Sequence, residues 1–172
     1  MNLESVKIES INLIQIPISM DYCTDIYKEF TKDIVKYMYP KEPLNIKETQ
    51  YFIKDSIERL KEGNNLQLVI IDKSNNAFIG CSGLHGIGRN DPELGIWIKR
   101  KSQGNGYGRE SIHALIKWAR ENITFEYLKY PVDKRNVASR KIPEDNNGLI
   151  MNEYKKINQN GFELDIVEYW IR

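Results

Sequence analysis

The sequence predicts one mixed α/β domain, and three observations carry that expectation. Short apolar runs rich in β-branched residues recur along the chain, and several other segments repeat their apolar residues at helical spacing. Near the middle, a strand, a loop with three glycines, an amphipathic helix and another strand follow one another directly. That unit has the length of a parallel, right-handed crossover. A composition of 41% hydrophobic and 28% charged residues over 172 positions is that of an ordinary globular protein. The length fits one domain that buries roughly two-thirds of its unfolded surface.

Val6 to Ile18 alternates loosely between apolar and polar residues and ends at Pro17, which predicts an edge-lying first strand. From Asp21 to Tyr39, Ile26, Phe30, Ile34 and Met38 recur every four positions and mark one face of a helix, closed by Pro40 and Pro43. Asn45 with Glu48 opens a second helix in the manner of a capping box, and Gly63 stops it. Its buried stripe is Thr49, Phe52, Ile53, Ile57 and Leu60. Leu66–Ile71 and Phe78–Leu84 read as a hairpin, with Gly80 and Gly83 marking a bulge or a close approach. Glu93–Ile98 is a fourth strand, and the helix after the glycine loop carries Ile112, Leu115, Ile116 and Ala119 on one side. Tyr127–Val132 is a short strand, and Asn136–Asp145 a short helix that contains Pro143. Leu149–Lys156 and Phe162–Ile171 close the chain as a hairpin around Asn158–Gly161.

A balance of 25 basic against 24 acidic residues leaves no global field for nucleic acid or a membrane surface. The run Leu13–Ile18 is too short and interrupted to span a bilayer, and no signal peptide follows Met1. Cys23 and Cys81, without CxxC spacing or a metal partner set, suggest a reducing compartment. The expectation is a cytoplasmic protein.

The chemistry centres on Gln103-Gly104-Asn105-Gly106-Tyr107-Gly108. Glycine permits positive φ and close backbone approach, and a helix start directly after it offers unpaired N–H groups to an anion such as phosphate. No Gly-Lys-Ser/Thr ends the loop, so it is not a Walker A element. A dinucleotide fingerprint belongs in an early strand–helix–strand unit, whereas this loop lies past mid-chain. A plain strand-to-helix turn would also explain three glycines.

Gln103-x-x-Gly106-x-Gly108 resembles the pyrophosphate loop of the GNAT superfamily of acyl-CoA-dependent N-acetyltransferases. Glu93–Ile98 is similar to the fourth strand of its ribosomal-protein N-terminal acetyltransferase branch, and Asn136-Val137-Ala138-Ser139-Arg140 to that branch's Asn-x-x-Ser segment. The order of elements agrees over nearly the whole chain. The resemblance implies a single-domain GNAT fold over residues 1–172. Its sheet would be mostly antiparallel with a parallel splay between strands four and five, and about four helices would pack on it. It also implies acetyl-CoA as cosubstrate and no metal.

Carried over, Trp97, Ile98 and Lys99 would bond the pantetheine arm through their main chain. Gln103, Gly104, Asn105, Gly106, Tyr107, Gly108 and Arg109 would wrap the pyrophosphate, with Asn136 nearby. Lys99, Arg100, Lys101, Arg109, and Arg135 or Arg140, could add positive charge; a solvated surface is the alternative for each. An amine of pKa ~10 costs about 4 kcal/mol to hold neutral at pH 7, so a proton acceptor matters. Glu93, which has the spacing of the catalytic glutamate in several family members, is the candidate; a strand-end carboxylate facing solvent is the alternative. A strand-four N–H would bind the oxyanion.

Many members protonate the thiolate with a tyrosine seven residues after the motif asparagine. Pro143 stands there instead, so Ser139 is the substitute, with Tyr154 a second possibility. The usual glycine pair is changed to Asn147-Gly148, which still tolerates left-handed geometry. His85, His113 and Cys81 read mainly as structural. Glu153, Glu163, Asp165 and Glu168 could draw an amine inward or form a wet strand face. Tyr22, Tyr27, Tyr37, Tyr39 and Tyr51 could line an acceptor pocket or pack as core.

The reading is an acetyltransferase acting by direct attack on a primary amine, either a protein N-terminus or a small molecule. It would be a monomer or homodimer with no nucleic-acid or membrane partner. A non-catalytic acyl-CoA sensor, suggested by Pro143, is the rival, and a nucleotide-binding protein the outside one.

Overall fold

In the computed structural model, which describes residues 2–172, the first apolar stretch is two strands rather than one. These are β1 (Ile8–Glu9) and β2 (Leu13–Pro17), antiparallel, with Ile8 opposite Gln15. The turn between them is held from far along the chain. The Glu110 carboxylate accepts from the Ser10 hydroxyl at 2.6 Å, from the Asn12 N–H at 2.6 Å and from Asn12 Nδ2 at 2.9 Å.

The long helix expected over 21–39 is likewise broken, into α1 (Cys23–Glu29) and α2 (Lys32–Val35). Phe30 leaves helical geometry at ψ +70°, and its ring packs 5.0 Å from that of Trp97. The Thr31 carbonyl then accepts from the Ile34 and Val35 N–H groups and restarts the helix.

α3 (Ile46–Lys61) follows the expected punctuation. The Asn45 side chain accepts from the N–H groups of Lys47 and Glu48, and Gly63 takes φ +77°. Glu48 reaches back to the Leu44 N–H instead of the Asn45 N–H of an ideal box.

The remaining elements are β3 (Asn65–Asp72), β4 (Phe78–His85), β5 (Glu93–Ile98), α4 (Tyr107–Asn122), β6 (Leu128–Asp133), α5 (Val137–Asp145), β7 (Leu149–Ile157) and β8 (Glu163–Ile171). One eight-stranded sheet runs β1-β2-β3-β4-β5-β6-β8-β7. Its neighbours are antiparallel except β5 and β6. Alternation along β3 separates two cores. Leu66 and Leu68 pack with Ile112, Leu115 and Ile116 of α4, whereas Val69 and Ile71 pack with Ile26 of α1 and Ile53 of α3. At Gly80 an added Cβ would run into the Trp97 carbonyl, so the expected close approach is between β4 and β5.

The expected splay falls between β5 and β6, one place later in the count because the first strand is a hairpin. The parallel ladder has a single pair, Glu93 with Lys129, and the Lys129 N–H donates to the Pro92 carbonyl at 2.8 Å. On its other side β6 turns even-numbered residues to β8, as the Lys134 N–H to Asp165 carbonyl bond shows. The next position of β6 facing β5 is therefore 131, a proline without an N–H. The Leu94 carbonyl finds no donor there and the ladder stops.

Asp133 secures the far end of β6. Its buried carboxylate accepts from the Arg135 N–H, bidentately from the Arg135 guanidinium at 2.7 Å, and from the Asp165 N–H at 3.0 Å. Burial alone would raise its pKa, but the bonds from Arg135 and Asp165 outweigh it and hold the carboxyl below its ordinary value. The stability it contributes is complete above the unfolded carboxylate pKa and is lost as pH falls through the depressed folded value. Asp133→Ala is expected to cost about 3 kcal/mol at neutral pH. Thermal melts against pH should show that difference shrinking toward strongly acid conditions; a constant difference would contradict the assignment.

Candidate active site

The strand alternation that places Lys129 against Pro92 also decides which main-chain groups of β5 are available. The Lys99 N–H donates to the Ile79 carbonyl at 2.9 Å, so odd-numbered residues of β5 face β4. Ile96 and Ile98 face the gap. This corrects the expectation for Trp97 and Lys99, whose main-chain groups are directed into the sheet. Lys99 is closed on both sides, because its carbonyl accepts from the Ser102 N–H. Trp97 instead contributes its ring, packed on Phe30 and Phe78. Ile96 was missed because strand phase is invisible until the neighbouring strand is in place.

A cleft of about 730 Å³ passes through the gap. At one end lies the glycine loop, with Gly104 at φ +81° and Gly106, the N-cap of α4, at φ +77°. Among the described residues, the six successive backbone N–H groups from Gly104 to Arg109 have no protein partner. The loop's own side chains brace it: Gln103 Nε2 donates to the Ile98 carbonyl at 3.0 Å, and Asn105 Nδ2 to the Ser102 carbonyl at 3.1 Å. A Cβ on Gly108 would lie 3.3 Å from Ile142 of α5, so the glycine lets the two helices close together there.

Of the basic residues considered for phosphate charge, only Arg109 lines the cleft, where its Nε bonds Asp145. Lys99, Arg100 and Lys101 stand outside it, Arg135 is occupied by Asp133, and Arg140 bonds Tyr169 and Lys134. Lys141, which the sequence reading did not single out, lines the cleft from α5.

Across the cleft, Asn136 caps α5 by accepting from the Ser139 N–H at 3.2 Å. The Ser139 hydroxyl lies 2.8 Å from the Tyr130 hydroxyl, and burial pushes that phenol up to about 12. Pro143 is buried in the last turn of α5, and its carbonyl accepts from the N–H groups of Asn146 and Gly148. Asn147 adopts φ +59°, so the altered glycine pair keeps its turn.

Glu93 is partly buried at the point where the strands part, and among the described residues nothing hydrogen-bonds its carboxylate. Burial raises its pKa first; the charges of Lys129 and Lys156 pull it back, and Glu168 adds to the rise. Tyr154 also lines the cleft, and burial raises its phenol too.

Other candidates are placed elsewhere. The His85 ring lies over Gly83 and Gly95 and is held neutral by burial, with the nearby Arg59 charge adding to the effect. Cys23 and Cys81 are free and buried, and burial raises the Cys81 thiol. Glu153 and Asp165 pair with Lys134, and Glu163 with Lys155; Glu168 accepts from the Trp170 indole. Of the five tyrosines, Tyr37 and Tyr39 line the cleft. Among the described residues, no three His, Cys, Asp or Glu side chains gather as a metal site requires, and no helix is long and apolar enough to cross a membrane.

A parted parallel strand pair leading to a row of free N–H groups is the arrangement that the resemblance to acyl-CoA-dependent N-acetyltransferases implies. A family model described as an acetyltransferase (GNAT) domain matches residues 13–147, and the chain belongs to that family. No curated protein matches the sequence. Several solved structures share the fold. One is the Salmonella typhimurium acetyltransferase that modifies the N-terminal serine of a 50S ribosomal subunit protein, with TM-score 0.82 and 16% identity over 97% of this chain and 98% of that one. The ribosomal-protein-S5-alanine acetyltransferase of Vibrio fischeri has TM-score 0.82 and 18% identity over 96% of each chain. Spermidine N-acetyltransferase of Vibrio cholerae, in complex with CoA and spermine, has TM-score 0.81 and 16% identity over 93% of this chain and 95% of that one. At such identities the likeness is one of fold.

Pro131→Ala tests the origin of the gap. It supplies the missing donor opposite the Leu94 carbonyl, and one recovered ladder bond is worth about 1 kcal/mol. With its pantetheine arm in the gap, as the family resemblance implies, acetyl-CoA should then bind on the order of fivefold more weakly. An unchanged dissociation constant by calorimetry would remove Pro131 from the account.

Proposed function

We propose that this enzyme moves the acetyl group of acetyl-CoA to a primary amine by direct attack in a ternary complex, with Glu93 taking the amine proton directly or through a water. The observation that carries the proposal is the placement of Glu93. It is half-buried, free of hydrogen-bond partners among the described residues and open to the same cleft that ends in the free N–H groups. A carboxyl whose pKa is raised by burial is a stronger proton acceptor than an exposed one.

The other residues take roles that their geometry supports. Gly104 to Arg109 receive the pyrophosphate on unpaired N–H groups at a helix start. Arg109 and Lys141 add charge beside it. Ile98 offers its N–H to the pantetheine arm. Ile96 has the first free N–H past the paired end of β5, next along the gap from Glu93, and is the oxyanion donor. One such donor is typically worth about 3 kcal/mol.

Ser139 hydrogen-bonds the departing sulfur. Its hydroxyl is oriented by Tyr130, whose phenol stays protonated throughout the working range. A coenzyme thiol is acidic enough that a hydrogen bond serves where many members of the family use a tyrosine. The whole chain acts as one N-acetyltransferase domain. The solved relatives named above include enzymes that modify protein N-termini and one that modifies a polyamine, which supports an amine as acceptor.

Glu93→Gln should lower kcat/KM for an amine acceptor by roughly 10²–10⁴-fold while leaving acetyl-CoA affinity unchanged. The base works only when ionised, so wild-type activity should fall as pH drops through a value above that of an ordinary glutamate. That limb should vanish in the variant, leaving only the rise from deprotonation of the amine itself. Wild-type turnover by Glu93→Gln at neutral pH, followed by thiol release, would exclude Glu93 from the mechanism.

A further inference from the structure

The cleft is lined by four charged side chains: Glu93, Arg109, Lys141 and Lys156. Arg109 and Lys141 flank the glycine loop, where phosphate charge is to be met. Lys156 belongs to the opposite end. It projects from β7 beside Leu164 of β8, its cross-strand partner, and Tyr154 and Ile166 form the next lining pair toward Glu93.

Its ammonium lies 3.9 Å from the centre of the Tyr39 ring. Several neighbouring cations are neutralised: Lys134 by Glu153 and Asp165, Lys155 by Glu163, Arg135 by Asp133, and Lys129 by Asp91, while Lys36 lies over the Tyr37 ring. Among the described residues Lys156 pairs with no carboxylate.

The wall that carries it is braced. The β7–β8 turn is latched to the segment after α2 by the Gln159 N–H to the Tyr39 carbonyl at 3.0 Å. The Asn158 amide reaches the Met38 carbonyl at 3.3 Å, and the Lys41 N–H donates to Gln159 Oε1 at 3.2 Å. Tyr39 and Lys156 therefore meet at a braced rim of the cleft, not on a loose loop.

We infer that Lys156 selects the acceptor by binding a carboxylate carried by the same molecule as the amine. This rests on the acetyl-transfer reading given above and adds the substrate class. The acceptor presents its amine to Glu93 at the floor and its anionic group to Lys156 at the rim. A polycation such as a polyamine meets an unneutralised ammonium at that rim and is disfavoured. Tyr39 holds the ammonium by cation–π attraction while leaving its remaining donors free for the ligand. The carboxylate can come from an α-amino acid itself or from an acidic residue next to a peptide N-terminus.

The test uses acetyl-CoA with matched acceptors and follows thiol release. The acceptors are a free amino acid and its amide, an N-terminal Ala-Glu dipeptide amide and its Ala-Gln counterpart, and spermidine. The wild-type enzyme should favour the carboxylate member of at least one pair by on the order of tenfold in kcat/KM, with spermidine poorest. The pair that responds identifies the source of the carboxylate. Lys156→Gln should erase the preference mainly through KM, and Lys156→Arg should keep it, while both variants retain wild-type thermal stability and acetyl-CoA affinity. Equal rates within both pairs, a preference for spermidine, or an intact preference in Lys156→Gln would overturn the inference while leaving acetyl transfer standing. If acetyl-CoA binds but no amine in the panel, spermidine included, is acetylated, the acetyl-transfer reading itself fails.

Discussion

A missing backbone donor organises this molecule. Position 131 is the second place on β6 that turns toward β5, and because it is proline the parallel ladder ends after one pair. Everything on the β8 side of β6 is unaffected, since proline's ring nitrogen points away from that ladder and the β6–β8 register continues from Leu128 to Asp133. The result is a strand rigidly paired on one edge and open on the other. Main-chain groups of Ile96 and Ile98, which an ordinary sheet would have paired, become the lining of the cleft. A proline inside a strand is normally confined to edges or bulges; here it creates an internal edge.

The two ends of that cleft are charged by different means. The donor end relies on backbone. Among the described residues, six N–H groups stand there without partners, and of the two cations beside them Arg109 is already bonded to Asp145. Backbone donors lose no side-chain rotamer freedom on binding, which long basic side chains do. The end proposed for the acceptor carries side chains instead: a carboxyl desolvated at the floor and an ammonium held against a tyrosine at the rim. Desolvation that raises Glu93 is opposed by Lys129 and Lys156, so its carboxyl is tuned by competition and not by burial alone.

Much of the fold was legible from local pattern. β3, β4, β5 and α3 lie within a residue or two of their expected positions and α4 follows the glycine loop as expected, because each had clear periodicity and punctuation such as Asn45, Gly63 and the glycine loop. The two N-terminal errors share a cause. The turn at Ser10–Asn12 is held by Glu110, and the break at Phe30 accompanies a ring that packs on Trp97. Both partners lie far along the chain, so no local window contains the reason. Among site residues, Glu93, Asn136, Ser139 and, from the loop, Gln103, Gly104 and Gly106 to Arg109 line one cleft. Strand phase removed the main-chain roles of Trp97 and Lys99, although the Trp97 side chain still lines the cleft, and the acidic residues of the last hairpin fell out on pairing.

What the sequence by itself determined is the local chemistry: where glycine must allow positive φ, which helix face is apolar, and which residues form the loop and its flanking motifs. Those properties follow from side-chain size, branching and hydrogen-bonding capacity over a few neighbours. Only the tertiary structure decided which backbone groups stay free, because a hydrogen bond is satisfied or left open by a partner strand and not by its own residue. The same holds for charge. Lys155 and Lys156 are adjacent and alike in sequence, yet one is neutralised by Glu163 and the other stands at the mouth of the cleft. Alternation across a pleated strand sends them to opposite faces.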